Sequence, residues 1–153
     1  EVLFRGWAQS FLVKQVGALA GILLASLLFM GFHLIGAPLS PLAMLNLFLG
    51  GILFGLFAWR SGGIIAPFAA HFAWNVTEDV GLGLVPNPGV GGFGAIIDYD
   101  LVGRSLWGGS AEGLNASLGT SLVLVALCLP LVWRSKPIGS GAHGQHQPDP
   151  AAV

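Results

Sequence analysis

Residues 16–35 read VGALAGILLASLLFMGFHLI, and none of these positions holds Asp, Glu, Lys or Arg. A helix needs about 20 mostly apolar residues to cross a bilayer, so this stretch alone predicts a membrane span. Pro38 and Pro41 then break the chain. Residues 42–59, LAMLNLFLGGILFGLFAW, predict a second span that stops at RSGG. Residues 64–80 predict a shorter third, ending at Glu78 and Asp79, and residues 114–133 a fourth, closed by Arg134. Residues 1–13 read as the end of a preceding membrane helix. The expected fold is therefore all-α, a polytopic transmembrane helical bundle with about four full spans plus the end of an earlier helix.

The composition agrees. Of 153 residues, 54% are hydrophobic and 8% charged, against about 25% charged in soluble domains. The formal net charge of -1 and the lack of a basic patch leave no surface for nucleic acid. Cys128 is the only cysteine, which excludes an intramolecular disulfide and a zinc finger. Without an initiator Met or the basic start of a signal peptide, the chain is expected to begin inside a longer protein. Two spans carry Gly-x-x-x-Gly, Gly17 with Gly21 and Gly51 with Gly55, a spacing that lets helix backbones approach closely in lipid. Residues 81–113 are rich in Gly and Pro and predict a long loop, with one short interfacial helix around AIIDYDLV. From Ser135 onward the chain is polar and reads as a disordered tail holding His143 and His146.

If the spans alternate, Lys14, Arg60, Arg134 and Lys136 share one side, while Glu78, Asp79, Asp98, Asp100 and Glu112 collect on the other with Arg104. The positive-inside rule makes the first side cytoplasmic. Glu78 and Asp79 then read as interfacial residues at the end of the third span; if the span runs on, they read as holding a substrate cation or adding a ligand.

Few ionisable groups lie inside the spans, and such groups are functional candidates by default. They are Glu1 and Arg5 in EVLFRGWAQS, His33 in FMGFH, and His71 with Asn75 in HFAWN. Glu1, Arg5 and Gln9 are four apart and share a helix face, so Arg5 can pair with Glu1 and offset the cost of burying both. At a rise of about 1.5 Å per residue, Glu1, His33, His71 and Asn75 can all reach one layer, away from the basic loops. A carboxylate, two imidazoles and an amide in one layer suggest water activation: the carboxylate takes the proton, and the others bind a metal or stabilise an oxyanion. Two histidines and a carboxylate are also acceptable zinc ligands, although the spacing is no standard zinc signature.

Those three motifs resemble the CPBP intramembrane protease family, which includes the type 2 CAAX prenyl proteases. The family shows Glu-Glu-x-x-x-Arg, then Phe-x-x-x-His, then His-x-x-x-Asn on successive membrane helices. Here Glu1 and Arg5, Phe29 and His33, and His71 and Asn75 match in that order. RSGGIIAPFAAHFAWN and LWGGSAEG extend the likeness, which covers residues 1 to about 134. The resemblance implies a membrane-embedded protease-like domain over 1–134, followed by the tail 135–153. It implies catalytic roles for Glu1, Arg5, His33, His71 and Asn75. His33, His71 and Asn75 are the ligands of a divalent metal such as zinc, if the reaction uses one.

The implied activity is endopeptidase cleavage of a prenylated, CAAX-type or bacteriocin-type peptide in a bacterial plasma membrane, with the lipid bilayer and the peptide as partners. The family's first glutamate would precede residue 1, so the chain as written is expected to be a truncated and inactive piece. The alternative is a non-catalytic membrane immunity or scaffold protein that keeps the fold. A transporter would show inverted repeats, and the sequence shows no internal repeat.

Overall fold

The computed structural model describes residues 1–35, 39–84 and 93–133. The break at Pro38, the basic residues Arg134 and Lys136, and the tail with His143 and His146 lie outside the described residues. Within them the chain is all-helical, with no strand. A π-helical segment Val2–Ala8 runs directly into α1 (Gln9–Val16); then come α2 (Ala18–His33), α3 (Pro41–Ser61), α4 (Ile65–Asn75) with a second π-helical segment Val76–Gly81, and α5 (Leu118–Trp133).

The ends of these helices follow local chemistry. Gly17 takes φ +85°, open to glycine at no steric cost, and folds α2 back on α1 in a single-residue turn. Ser40 caps α3 by accepting from the Ala43 N–H at 3.2 Å, with Pro41 at the first helical position, where no N–H is needed. Gly62, left-handed at φ +69°, ends α3. Pro67 lies in the first turn of α4, so it removes no intrahelical bond. Ser117 caps α5 through the Thr120 N–H at 3.1 Å.

Helix α3 is the centre: α2, α4 and α5 pack on it, and the segment Val2–Ala8 reaches both α2 and α3. Close approach depends on glycine. A Cβ on Gly51 would stand 2.9 Å from Cβ of Ser26, and one on Gly21 would stand 2.6 Å from the Val13 backbone nitrogen. Gly51 and Gly55 thus act as a packing pair, whereas Gly17 serves the turn and only Gly21 packs. Asn46, buried on α3, donates to the carbonyls of Asn115 at 3.0 Å and Ser117 at 2.9 Å and accepts from Ser121 Oγ at 2.6 Å. It ties α3 to the backbone just ahead of α5, sharing the Ser117 carbonyl with the Ser121 N–H at 3.3 Å.

One described helix, α3, is long and apolar enough to cross a membrane; α2 and α5 are apolar with 16 residues each. The expected spans shorten because Gly17 turns the chain before α2, and because residues 114–116 form part of a 3₁₀ turn ahead of α5. Large apolar side chains face outward along α2, α4 and α5, among them Leu19, Ile65, Phe68, Leu122 and Val132.

The expected short helix around residues 95–102 does not form. The Gly- and Pro-rich approach cannot hold one, and the chain instead lays its backbone along the end of the second π-helical segment. Ile96 N donates to Val80 O at 2.8 Å, Ile97 N to Gly81 O at 3.0 Å and Tyr99 N to Leu82 O at 3.0 Å. The positions of two groups on the acidic side are now defined: Glu112 accepts from the Ser40 N–H at 2.9 Å, and Glu78 is buried.

Candidate active site

The first polar stripe is built by backbone hydrogen bonds wider than those of an α-helix. Gly6 N reaches Glu1 O at 3.3 Å, five residues back, alongside the Arg5 N bond to the same carbonyl at 2.8 Å. Arg5 and Gln9 are 2% and 4% exposed. Arg5 donates from Nη2 to Gly51 O at 3.0 Å, and Gln9 from Nε2 to Gly55 O at 2.9 Å. The four-residue spacing of the donors matches that of the glycines. A helix carbonyl keeps a second lone pair after bonding within the helix, and glycine leaves no side chain in the way of a donor. Arg5 Nε lies 3.4 Å from Glu1 Oε2, and the guanidinium stands over the Phe29 ring at 4.8 Å. Cation–π contact and the carboxylate together compensate the buried charge.

Glu1 spends its other oxygen on His71: Oε1 is 2.8 Å from Nδ1. A carboxylate paired with Arg5 only accepts, so His71 Nδ1 carries the hydrogen, which in the neutral ring leaves the lone pair on Nε2. The imidazole stacks on Phe54 with centroids 4.7 Å apart and a 19° tilt, and meets Phe29 edge-on at 5.7 Å. His33 follows the same logic: Nδ1 donates to Phe29 O at 2.8 Å, leaving Nε2 as acceptor. Both rings are therefore fixed in tautomer and orientation by groups behind them.

His33, His71 and Asn75 line one cavity of about 190 Å³, walled by Phe29, Phe54 and Trp74 and reaching Asn46. Glu1 and Arg5 are not in its wall but stand behind His71. All five expected residues are thus brought to one place, three on the surface of the cavity and two supporting it. Glu78 and Asp79 line the same cavity. Glu78 is 8% exposed because Trp74, one turn back, donates Nε1–H to its Oε2 at 2.8 Å and covers it.

Several contributors escaped sequence reading: Gly51 and Gly55 as acceptors, Phe54 as the stacking partner, Trp74 and buried Glu78. Asn46 did carry a signal, being a lone amide in an apolar run.

The orientation of both imidazoles through Nδ1 suits metal ligation. Yet among the described residues no three His, Cys, Asp or Glu side chains converge at metal-binding spacing.

No curated protein and no solved structure matches this chain. A profile of the type II CAAX prenyl endopeptidase Rce1-like family matches residues 1–77, a stretch that holds Glu1 and Arg5, Phe29 and His33, and His71 and Asn75. With half of its length and all three motifs inside that match, the chain belongs to the Rce1-like family of membrane-embedded proteases.

Proposed function

We propose that this protein is an intramembrane endopeptidase that hydrolyses a peptide bond with water activated by Glu1 and His71. The observation that carries the reading is the 2.8 Å bond from His71 Nδ1 to a Glu1 carboxylate itself paired with Arg5. The carboxylate holds the tautomer in which Nε2 can accept a proton, and it stabilises the imidazolium that forms. His33 Nε2 accepts a hydrogen bond from the attacking water and so aims it. His71 Nε2 takes the proton as the water oxygen bonds to the carbonyl carbon. The Asn75 amide N–H then donates to the oxygen that becomes negative. Collapse of the intermediate breaks the C–N bond, and the proton held on His71 leaves with the amine.

The bilayer placement belongs to the same proposal. α2, α3, α4 with its π-helical extension, and α5 cross a bacterial plasma membrane, with the outward apolar residues of α2, α4 and α5 facing lipid. Soluble monomers rarely expose contiguous apolar patches beyond a few hundred Å². The substrate is a prenylated, CAAX-type or bacteriocin-type peptide, as the family suggests.

The test is cleavage of a peptide library by the protein at the full length its gene encodes, in detergent, for wild type and His71→Ala. Loss of a positioned general base costs about 10²- to 10⁴-fold in rate, so cleavage should fall by that factor. Removal of divalent ions with a chelator, followed by zinc, shows whether a metal takes part. Cleavage unchanged by His71→Ala would refute the assignment, and a folded protein that cleaves nothing would point to partner binding instead.

A further inference from the structure

Glu78 is a carboxylate that the proposed reaction leaves unused. Its Oε2 is held by Trp74, while Oε1 is buried and has no hydrogen-bond partner among the described residues. A carboxylate offers about four acceptor positions, so Oε1 is free to accept from a ligand donor. Its setting is firm. Leu84 N donates to the Glu78 carbonyl at 3.0 Å, and the chain from Ile96 to Tyr99 is bonded to the carbonyls of Val80, Gly81 and Leu82.

Glu78 lines two cavities, an apolar one with Ala70, Leu82 and Leu114 and the cavity of His33 and His71, which carries Asp79 as a second carboxylate and no Lys or Arg in its lining. Arg5 is spent on Glu1 and Gly51. Lys14 lines a different cavity beside Trp59 and Gly62, Arg60 lies in the last turn of α3 and is not in the lining, and Arg104 is exposed on the loop. The described part of the protein thus supplies no cation to Glu78. At about 30 Å³ per water, a cavity of about 190 Å³ has room for the attacking water and one side-chain head group.

We propose that Glu78, with Asp79 beside it, binds a basic side chain of the peptide substrate, the ammonium of a Lys or the guanidinium of an Arg next to the bond that is cut. Charge-assisted hydrogen bonds to the free oxygen satisfy it, and the two carboxylates repel acidic residues at the same subsite. The inference rests on the proteolytic reading for the position of the cut but not for the cation site.

The experiment therefore measures binding and cleavage separately, with paired peptides carrying Lys or the uncharged norleucine, and Arg or citrulline, at each position flanking the cut. Wild type should bind the cationic member about tenfold more tightly, as expected for one buried charge-assisted bond. It should show the same preference in kcat/KM, carried by KM. In Glu78→Gln, whose amide oxygen still accepts from Trp74, both ratios should fall to about one. An unfolding profile like that of wild type would exclude a folding defect, and Glu78→Asp should restore part of the preference. Equal binding of paired peptides by wild type, or a preference that survives Glu78→Gln, overturns the proposal. Cation-selective binding without any cleavage would keep the cation site and refute the proteolytic reading, whereas cleavage without selectivity would do the reverse.

Discussion

Gly51→Ala adds one methyl group where α2 packs tightly on α3. The new Cβ would stand 2.9 Å from Ser26 Cβ and 3.1 Å from its Cα. Ordinary contact begins near 3.4 Å, so the helices must separate by about half an ångström. Ser26 cannot give way, being fully buried and bonded to Ile22 O at 2.7 Å. The separation also stretches the 3.0 Å bond from Arg5 to Gly51 O, and bonds to charged groups contribute about 1.5–3 kcal/mol. Better helix propensity returns about 1 kcal/mol. The net expectation is destabilisation of about 1–3 kcal/mol, within the range for overpacked cores. Gly31→Ala is the matched control: a Cβ there meets nothing within 4 Å, so propensity alone should make it neutral or stabilising by up to about 1 kcal/mol. Reversible denaturation in mixed micelles measures both. If Gly51→Ala proves as stable as Gly31→Ala, the close approach and the Arg5 anchor are not what hold α2 and the first segment to α3.

Arg5→Ala leaves the Glu1 carboxylate buried without its cation, and breaking such a pair from one side costs about 3–5 kcal/mol; the same denaturation assay should register it, and a loss below 1 kcal/mol would refute the pairing argument. Asn46→Leu keeps the volume of the side chain but strips partners from the Asn115 and Ser117 carbonyls and from Ser121 Oγ. A loss of about 2–4 kcal/mol is expected, with faster amide hydrogen exchange in the first turn of α5. An unchanged exchange pattern there would show that Asn46 does not hold the start of that helix.

Much of this architecture was legible in the sequence because it depends on period and on polarity out of place. His71 and Asn75 share a helix face by spacing, and the Glu1–Arg5–Gln9 stripe flagged a buried edge. What stayed hidden depends on backbone rather than side chains. The acceptors for Arg5 and Gln9 are peptide carbonyls, which every residue carries, so nothing in a sequence marks them except the missing side chains of Gly51 and Gly55. Glu78 read as interfacial because hydropathy counts its charge, while hydropathy carries no sign of its bond from Trp74 or of the loop Ile96–Tyr99 that bonds the carbonyls of Val80, Gly81 and Leu82. The helix limits moved for a similar reason: one positive-φ glycine and one serine cap decide them, and neither changes mean hydropathy.

Arg5 and Gln9 fix the first segment on α3 at two points four residues apart, and this works like a two-pin key. Sliding by a single residue would break both bonds at once. Sliding toward the α3 terminus by a whole turn would offer Arg5 the carbonyl of Gly55, but Gln9 would meet position 59, where a tryptophan stands in place of glycine. Such a slip of four residues would also carry Glu1 about 6 Å along the axis, beyond reach of His71. The register of two helices and the pairing of the Glu1 carboxylate with His71 are thus one and the same adjustment, locked by positions that have no side chain at all.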